Sequence, residues 1–253
     1  MGNHNKILFI NLLLLLTLTE VAGQGRSDNF WIFGGSGQGL QFGLGDDSLT
    51  DNTITTQPLG NQGSAVAVDP NTGDVYFYTD GSQIFDGQGN PIVVPAGLNG
   101  NGIGSQPVVI VPDPNDDISD GVREYFLYIN VGGQIYQHTV SVTTSVGNYP
   151  TVAVSTANGP LGSALGTAEA MTVVPSADGS TYYVVAQQAG TADFYVIDVA
   201  ADPTTATIVS PGIPGNITAT NMEYNPATGQ LAVAFNGGVH VLESDGVGGL
   251  SFN

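Results

Sequence analysis

A polar loop at residues 113–124 (DPNDDISDGVRE) carries oxygen-bearing side chains at a spacing that suits calcium. Asp113, Asn115 and Asp117 alternate along the loop, and Glu124 follows further on. Calcium prefers carboxylate and amide oxygens, and helix-flanked calcium loops place their ligands at this spacing. However, Ile118 occupies the position that such a loop gives to glycine, and the flanking residues have strand character. The loop therefore predicts a calcium site, with a solvated loop of Asx turns as the alternative.

Pairs of carboxylates offer a second candidate chemistry. Glycoside hydrolysis needs two carboxyl groups that face one cleft, roughly 5 to 10 Å apart. The acidic residues in or beside predicted strands that could supply such a pair are Asp80, Asp86, Glu169 and Glu223. Spacing in the sequence does not show that any two of them face one cleft. A secreted lyase or glycoside hydrolase on a propeller scaffold is therefore kept as the alternative function.

The sequence does not show the residue patterns that other catalytic and cofactor sites require. The chain has no cysteine, and no Gly-x-Ser-x-Gly nucleophile elbow occurs. His138 and His240 each follow a Gly-Gly turn in a β run, which favours equivalent structural positions over metal ligation. The glycine-rich residues 34–39 have no following lysine, so they predict a flexible hairpin loop rather than a phosphate cradle. We therefore predict no catalytic residue and no cofactor beyond calcium.

One turn pattern recurs three times and indicates how these residues are positioned. It occurs at residues 69–74 (DPNTGD), 175–179 (PSADG) and 225–229 (NPATG), each time before an aromatic or β-branched run. Proline presets φ at the start of such a turn, and glycine accepts the positive φ near its end. The runs that follow suit a half-buried pleated surface. Each copy therefore predicts a tight turn that feeds a strand.

Repetition of one β unit predicts an all-β fold of the β-propeller class, WD40-like or YVTN-like. About four to five blades of strands joined by short turns are recognisable in an incomplete ring, which the strand around Trp31 could close by pairing in the last blade. A long polar loop is expected between Val140 and Ala168, and Asp80-Gly81 predicts a two-residue hairpin turn. Helical periodicity is lacking after the N-terminus. An irregular β-sandwich is the alternative.

The first residues read as a secretory leader. Lys6 precedes a largely apolar run at residues 7–18, and small residues follow at the expected cleavage point near Gly23. This is the pattern of a signal peptide, which predicts residues 1–23 as the leader and 24–253 as one exported domain. No later apolar run is long enough to span a membrane, so no span is expected after cleavage. We therefore expect a secreted or outer-surface protein.

The charge balance excludes two classes of partner. The chain has a net charge of −19, and only Arg26 and Arg123 remain basic after loss of the leader. Nucleic acids and anionic lipids are bound by Lys and Arg that displace counterions. Nucleic-acid binding is therefore excluded, and the surface must be screened by salt or by bound cations.

Several segments resemble a known group of proteins. They are residues 31–34 (WIFG), 77–81 (FYTDG), 84–86 (IFD), 97–101 (GLNGN), 105–106 (SQ), 109–112 (VIVP) and 169–172 (EAMT). In this order they resemble the N-terminal propeller-like region of large secreted Bacteroidetes proteins. That group often carries a gliding-motility-associated C-terminal sorting domain used by type IX secretion. The resemblance covers nearly the whole mature chain, and FYTDG is its most specific part.

This sequence departs from the group in two respects. It contains no sorting domain, and it stops at residues 248–253 where the group would start another blade. We therefore expect either a fragment of a longer chain with further blades or domains, or strand edges that are covered by the N-terminal strands or by a partner. The resemblance and the missing catalytic set together favour a non-catalytic propeller module for adhesion or recognition. Its expected partner is an extracellular protein or glycan.

Overall fold

A computed structural model describes residues 30–33, 35–41, 52–60, 63–102, 104, 106–145, 148–155, 159–161 and 166–252 of the 253-residue chain. Over these ranges the fold is all-β, which confirms the predicted class, and its strands form five antiparallel sheets. No helix in this part of the chain has the length and apolar character to cross a membrane. The predicted leader lies outside the described residues.

Each sheet contains strands that are consecutive in the chain, so every sheet is a meander. The three-stranded sheets are sheet A, with β1 (Phe30–Phe33), β2 (Gln38–Gln41) and β3 (Asn52–Thr55), and sheet B, with β4 (Ala65–Val68), β5 (Val75–Thr79) and β6 (Ile84–Asp86). The other three sheets are four-stranded. Sheet C contains β7 (Val108–Pro112), β8 (Val122–Val131), β9 (Gln134–Ser145) and β10 (Asn148–Val154). Sheet D contains β11 (Thr167–Pro175), β12 (Tyr182–Gln188), β13 (Phe194–Asp198) and β14 (Ala206–Val209), and sheet E contains β15 (Ala219–Asn225), β16 (Gln230–Phe235), β17 (Gly238–Ser244) and β18 (Leu250–Phe252).

The recurring turn pattern forms turns as predicted. In the first copy, the Asp69 Oδ1 atom accepts the backbone N–H of Asn71 at 2.7 Å, and Gly73 has a φ of 77°. The other two copies connect β11 to β12 and β15 to β16. The predicted strand after each turn is present as β5, β12 and β16.

Three details of the strand prediction were wrong. The strand around Trp31 was expected to pair in the last sheet, but it is β1 and pairs with β2 in sheet A. Asp80-Gly81 was expected as a two-residue turn, but β5 and β6 are joined by residues 80–83, because the Asp80 side chain accepts the N–H groups of Ser82 and Gln83. The segment after Val140 was expected to be a polar loop, but β9 continues to Ser145 and β10 follows. Polar residues end β9 at Thr143, Thr144 and Ser145, and Pro150 and a register shift interrupt the alternation in β10, so a pattern search does not find this pair of strands.

Successive sheets pack face to face, and each contact has its own apolar core. Representative buried pairs are Ile32 with Tyr78 between sheets A and B, Phe77 with Leu127 between B and C, Tyr128 with Met171 between C and D, and Val185 with Leu231 between D and E. The first strands also contact one another in sequence, β1 with β4, β4 with β7, β7 with β11 and β11 with β15. The first strands therefore form the inner edge of the series of sheets.

Candidate functional site

Corresponding turns of the sheets lie at the same end of the molecule. Ala177, in the β11–β12 turn, donates its N–H to the Gly246 carbonyl in the β17–β18 turn at 3.1 Å. Asn115, in the β7–β8 loop, donates its Nδ2–H to the Ala200 carbonyl after β13 at 3.2 Å. These turns join first to second strands and third to fourth strands. We call this end the acidic end, and we call the opposite end, where second strands lead into third strands, the bridging end.

Within the described residues, the aspartates are unevenly divided between the two ends. In the described turns of the bridging end, the acidic residues are Asp80 and Asp193. The aspartates in or beside turns of the acidic end are Asp69, Asp74, Asp86, Asp113, Asp116, Asp117, Asp120, Asp178, Asp198, Asp202 and Asp245. Clustered charges of one sign create a potential that concentrates counter-ions of the opposite sign. The acidic end therefore attracts cationic groups and repels anions.

Short local hydrogen bonds hold these aspartates in place. Asp113 accepts the N–H of Asn115 through Oδ1 at 2.8 Å, and Asp202 accepts the N–H of Thr204 at 2.9 Å. Asp245 accepts the N–H of Val247 at 2.9 Å. Each bond closes an Asx turn within two residues, which fixes the backbone of the turn. The carboxylates are therefore presented from defined turns.

Local hydrogen bonds of this kind lower the pKa of three aspartates at this end, Asp117, Asp178 and Asp202. The Ser176 hydroxyl and the backbone and hydroxyl of Ser180 lower the pKa of the exposed Asp178 to about 2. The Ser119 side chain lowers the pKa of Asp117 below its usual range. The Thr204 hydroxyl acts in the same way on the pKa of Asp202. The negative charge of this end therefore persists well below neutral pH.

The predicted calcium ligands lie at the acidic end, in the β7–β8 loop. Asp113 and Asn115 belong to one turn, and Asp117 caps the short 3-10 turn Ile118–Asp120. Glu124 lies on β8, where its Oε1 atom accepts the Ser141 hydroxyl at 3.3 Å. Within the described residues, no group of three His, Cys, Asp or Glu side chains is arranged to hold a metal ion. Calcium binding by this loop stays a prediction.

At the bridging end, polar side chains connect neighbouring sheets. Asn130, near the end of β8, is buried and contacts the first strand of sheet D. Its Nδ2–H donates to the Ala168 carbonyl at 2.6 Å, and its Oδ1 accepts the Thr167 hydroxyl at 2.7 Å. Asn130 therefore ties sheet C to sheet D.

Gln187 makes the equivalent connection between sheets D and E. It lies near the end of β12 and is fully buried. Its Oε1 atom accepts the Ala219 N–H at 3.0 Å, and its Nε2–H group donates to the Ile217 carbonyl at 3.2 Å and to the Thr191 carbonyl at 2.8 Å. The amide thus satisfies backbone groups where the chain enters β15.

Asp80 occupies the matching position after β5. Its carboxylate is 1% exposed and accepts the N–H groups of Gly60 at 2.6 Å, Ser82 at 2.7 Å and Gln83 at 2.8 Å. Burial raises the pKa of Asp80, but these N–H donors together lower it further, so the net pKa lies below its usual value. A Cβ added to Gly102 would lie 3.0 Å from Asp80 Oδ2, so the segment before sheet C also contacts this carboxylate. Asp80 is therefore an ionised structural group.

A fourth polar contact joins two sheets that are not neighbours. Gln106, just before β7, donates its Nε2–H to the Met222 carbonyl at 2.7 Å and accepts the Met222 N–H through Oε1 at 2.6 Å. The amide thus pairs with β15 as a strand residue would. It links sheets C and E along the inner edge.

The two histidines are structural, as their sequence context indicates. The His138 ring is fully buried on β9, its Nδ1 atom lies 3.0 Å from the Ser155 carbonyl, and its Nε2 atom has no hydrogen-bond partner. Burial lowers the pKa of His138 more than this hydrogen bond raises it. His240 stacks on Phe235 with ring centroids 4.6 Å apart.

The residues of the alternative enzymatic function are spread over the sheets. Asp80 is buried at the bridging end, whereas Asp86 lies at the acidic end and accepts the N–H of Asn90 at 2.8 Å. Glu169 and Glu223 lie exposed on the first strands of sheets D and E. Because backbone donors enclose the Asp80 carboxylate, its observed contacts are structural. Catalysis by the other three stays untested.

Sequence reasoning missed Asn130, Gln187 and Gln106, which organise the bridging end. Amide side chains in β runs carry no distinctive pattern, and each acts on backbone far away in the chain. The end of each second strand was the one available signal, since Asp80, Asn130 and Gln187 all occur there.

Comparison with known proteins identifies no relative. No family model matches the chain, and no curated protein matches it significantly.

Proposed function

We propose that this protein is a non-catalytic, exported recognition module with β-propeller architecture, and that its acidic end binds cationic groups of an extracellular partner. Two features support the propeller arrangement. Every sheet is a meander of consecutive strands, and successive first strands contact one another along one edge. Blades of a propeller have this order and place their first strands around the axis.

The concentration of carboxylates at the acidic end is the observation that carries the binding proposal. They are held on turns by local hydrogen bonds, and such bonds lower the pKa of Asp178 to about 2. Binding surfaces on rigid loops lose little conformational entropy on association, which favours affinity. A partner with Lys or Arg groups, such as a basic protein or an aminated glycan, complements this surface.

Export of the chain and the likeness to Bacteroidetes surface proteins are part of the same proposal. They are supported by the leader pattern at residues 1–23 and by the FYTDG segment, whose Asp80 has the structural role described above. N-terminal sequencing of the protein recovered from the culture medium tests export, with Gln24 as the expected first residue.

Binding can be tested with a decalysine peptide as the probe. We expect isothermal titration calorimetry at low salt to show binding that weakens as salt rises, because screening shortens the range of the field. The triple variant Asp116→Asn, Asp117→Asn, Asp120→Asn should bind several-fold more weakly. Asp193→Asn, which removes a carboxylate at the bridging end, is the matched control.

Two results would contradict the proposal. Equal losses per charge removed in the triple variant and in Asp193→Asn would mean that net charge alone is responsible. Unchanged binding in the triple variant would place the site elsewhere. An array of glycans, with and without added calcium, then distinguishes a charged protein partner from a calcium-dependent glycan partner.

A further inference from the structure

Four asparagines of this chain are followed directly by glycine, namely Asn99, Asn101, Asn158 and Asn236. In such a pair the backbone nitrogen of the glycine can attack the side-chain carbonyl carbon of the asparagine, because glycine has no Cβ that hinders the approach. The attack needs a segment that is exposed or that opens locally. Asn158 lies outside the described residues, so the structure distinguishes the other three pairs.

The first two pairs lie in a segment that packs on the turn after β5. The Gly100 N–H donates to the Gly81 carbonyl at 3.0 Å, and a Cβ added to Gly100 would collide with that oxygen. Gly102 is buried, and a Cβ added there would lie 3.0 Å from Asp80 Oδ2. The attack creates negative charge, which this ionised carboxylate opposes. Packing and charge therefore protect the first two pairs from reaction.

The pair Asn236-Gly237 is placed differently, in the turn between β16 and β17 at the bridging end. Asn236, Gly237 and Gly238 are all exposed. The Gly237 N–H donates to the Phe235 carbonyl at 2.8 Å, which is a bond within the turn itself. This bond can open while the contacts between sheets stay intact, so the cost of reaching the reactive geometry is small.

We propose that Asn236 is a site of spontaneous deamidation in the folded protein. In the first step, a bond forms between the Gly237 nitrogen and the Asn236 Cγ atom. The Cγ–Nδ2 bond breaks, and ammonia leaves with the proton of the Gly237 N–H. Water then opens the resulting cyclic imide at either of its carbonyl groups, which gives aspartate or isoaspartate. The reaction uses water as its co-reactant and involves no oxidation or reduction.

Either product changes the β16–β17 hairpin. Both products add a carboxylate to the bridging end. Isoaspartate also routes the main chain through the former side-chain methylene, which lengthens the backbone between Phe235 and Gly238, the residues that close this hairpin in register. The Phe235 ring stacks on His240 with ring centroids 4.6 Å apart. Isoaspartate should therefore disturb this aromatic contact, whereas the variant Asn236→Asp should leave it in place.

Incubation of the full folded chain at mildly alkaline pH, followed by pepsin digestion in acid and mass spectrometry, measures deamidation at each pair. We expect Asn236 to react at least about tenfold faster than Asn99, because Asn99 reacts only when its segment opens. In guanidinium chloride the two rates should become similar, since the packing that protects Asn99 is lost. A ratio near one in the folded chain would overturn the proposal. The same ratio in the folded and unfolded chains would also overturn it, because the flanking residues would then set the rates.

Methylation by an isoaspartyl methyltransferase gives a second measurement, because that enzyme labels isoaspartate. The incubated wild-type chain should take up label, and Asn236→Gln should lose most of it, since glutamine forms a cyclic imide much more slowly. Asn99→Gln is the matched control, because Asn99 is also exposed and also precedes glycine. It should keep nearly all of the label. An Asn99→Gln chain that loses as much label as Asn236→Gln would contradict the assignment to Asn236.

Discussion

The acidic end and the bridging end use polar side chains in opposite ways. At the acidic end, aspartates accept hydrogen bonds from residues two positions away, as in Asp113 with Asn115 and Asp202 with Thr204. At the bridging end, Asn130 contacts a residue 38 positions away, and Gln106 contacts one 116 positions away. Local bonds fix the shape of single turns, whereas distant bonds hold sheets together. Stability should therefore depend on the bridging end and binding on the acidic end.

The largest expected effect on stability is that of Gln187→Leu. This change leaves the Ala219 N–H and the Ile217 carbonyl buried without their partner. An unsatisfied buried backbone group costs about 1–3 kcal/mol, so the free energy of unfolding should fall by roughly 3–5 kcal/mol. Urea unfolding, followed by tryptophan fluorescence or circular dichroism, measures this change in the free energy of unfolding. Gln188→Leu is the control, because Gln188 is the next residue of β12 and is only partly buried.

Asp80→Asn should have the next largest effect. The amide keeps the shape of the carboxylate, but only its oxygen can accept. Its NH2 group therefore faces either the N–H of Gly60 or the N–H groups of Ser82 and Gln83, which loses hydrogen bonds on that side. Hydrogen bonds to charged groups contribute about 1.5–3 kcal/mol, so a loss of roughly 2–3 kcal/mol is expected. Asp74→Asn, in an exposed turn of the acidic end, should change stability little. Equal losses of stability in the two variants would mean that the two ends contribute equally to stability.

His138 should make stability depend on pH. Its folded pKa lies below 6.5, so the unfolded chain takes up the proton first as pH falls. The contribution of His138 to the free energy of unfolding is therefore fully present above pH 6.5. It decreases as pH falls below 6.5, by up to about 1.4 kcal/mol per pH unit until the folded pKa is reached. His138→Leu should remove this part of the slope between about pH 7 and pH 5. A slope that is unchanged in the variant would assign the effect to other groups.

The smallest effect is expected for the turn at Asp178. Its pKa of about 2 means that it contributes stability above its usual 3.8, and that this contribution is lost as pH falls through about 2. Carbon-detected NMR titration of the carboxyl should give a midpoint near that value. In Ser176→Ala the midpoint should move toward 3.8, because the strongest donor is removed. An unchanged midpoint would rule out the Ser176 hydroxyl as the cause.

Much of the fold could be predicted because the recurring turns are local. Pro70 and Gly73 specify their turn within a few residues, and the apolar runs of β5, β12 and β16 follow directly. The candidate site was less predictable. The calcium loop was found as an acidic pattern, but its side chains form turn and cross-strand bonds that the pattern did not anticipate.

The sequence by itself determined the all-β class, the turns and the negative charge, because alternation, turn residues and titratable groups act over short stretches of chain. Only the tertiary structure decided that those charges collect at one end, since this follows from the common direction of the meanders. It also decided the roles of Asn130, Gln187 and Gln106, whose partners are set by how the sheets pack. A hydrogen bond between residues far apart in the chain leaves no spacing in the sequence by which it could be recognised.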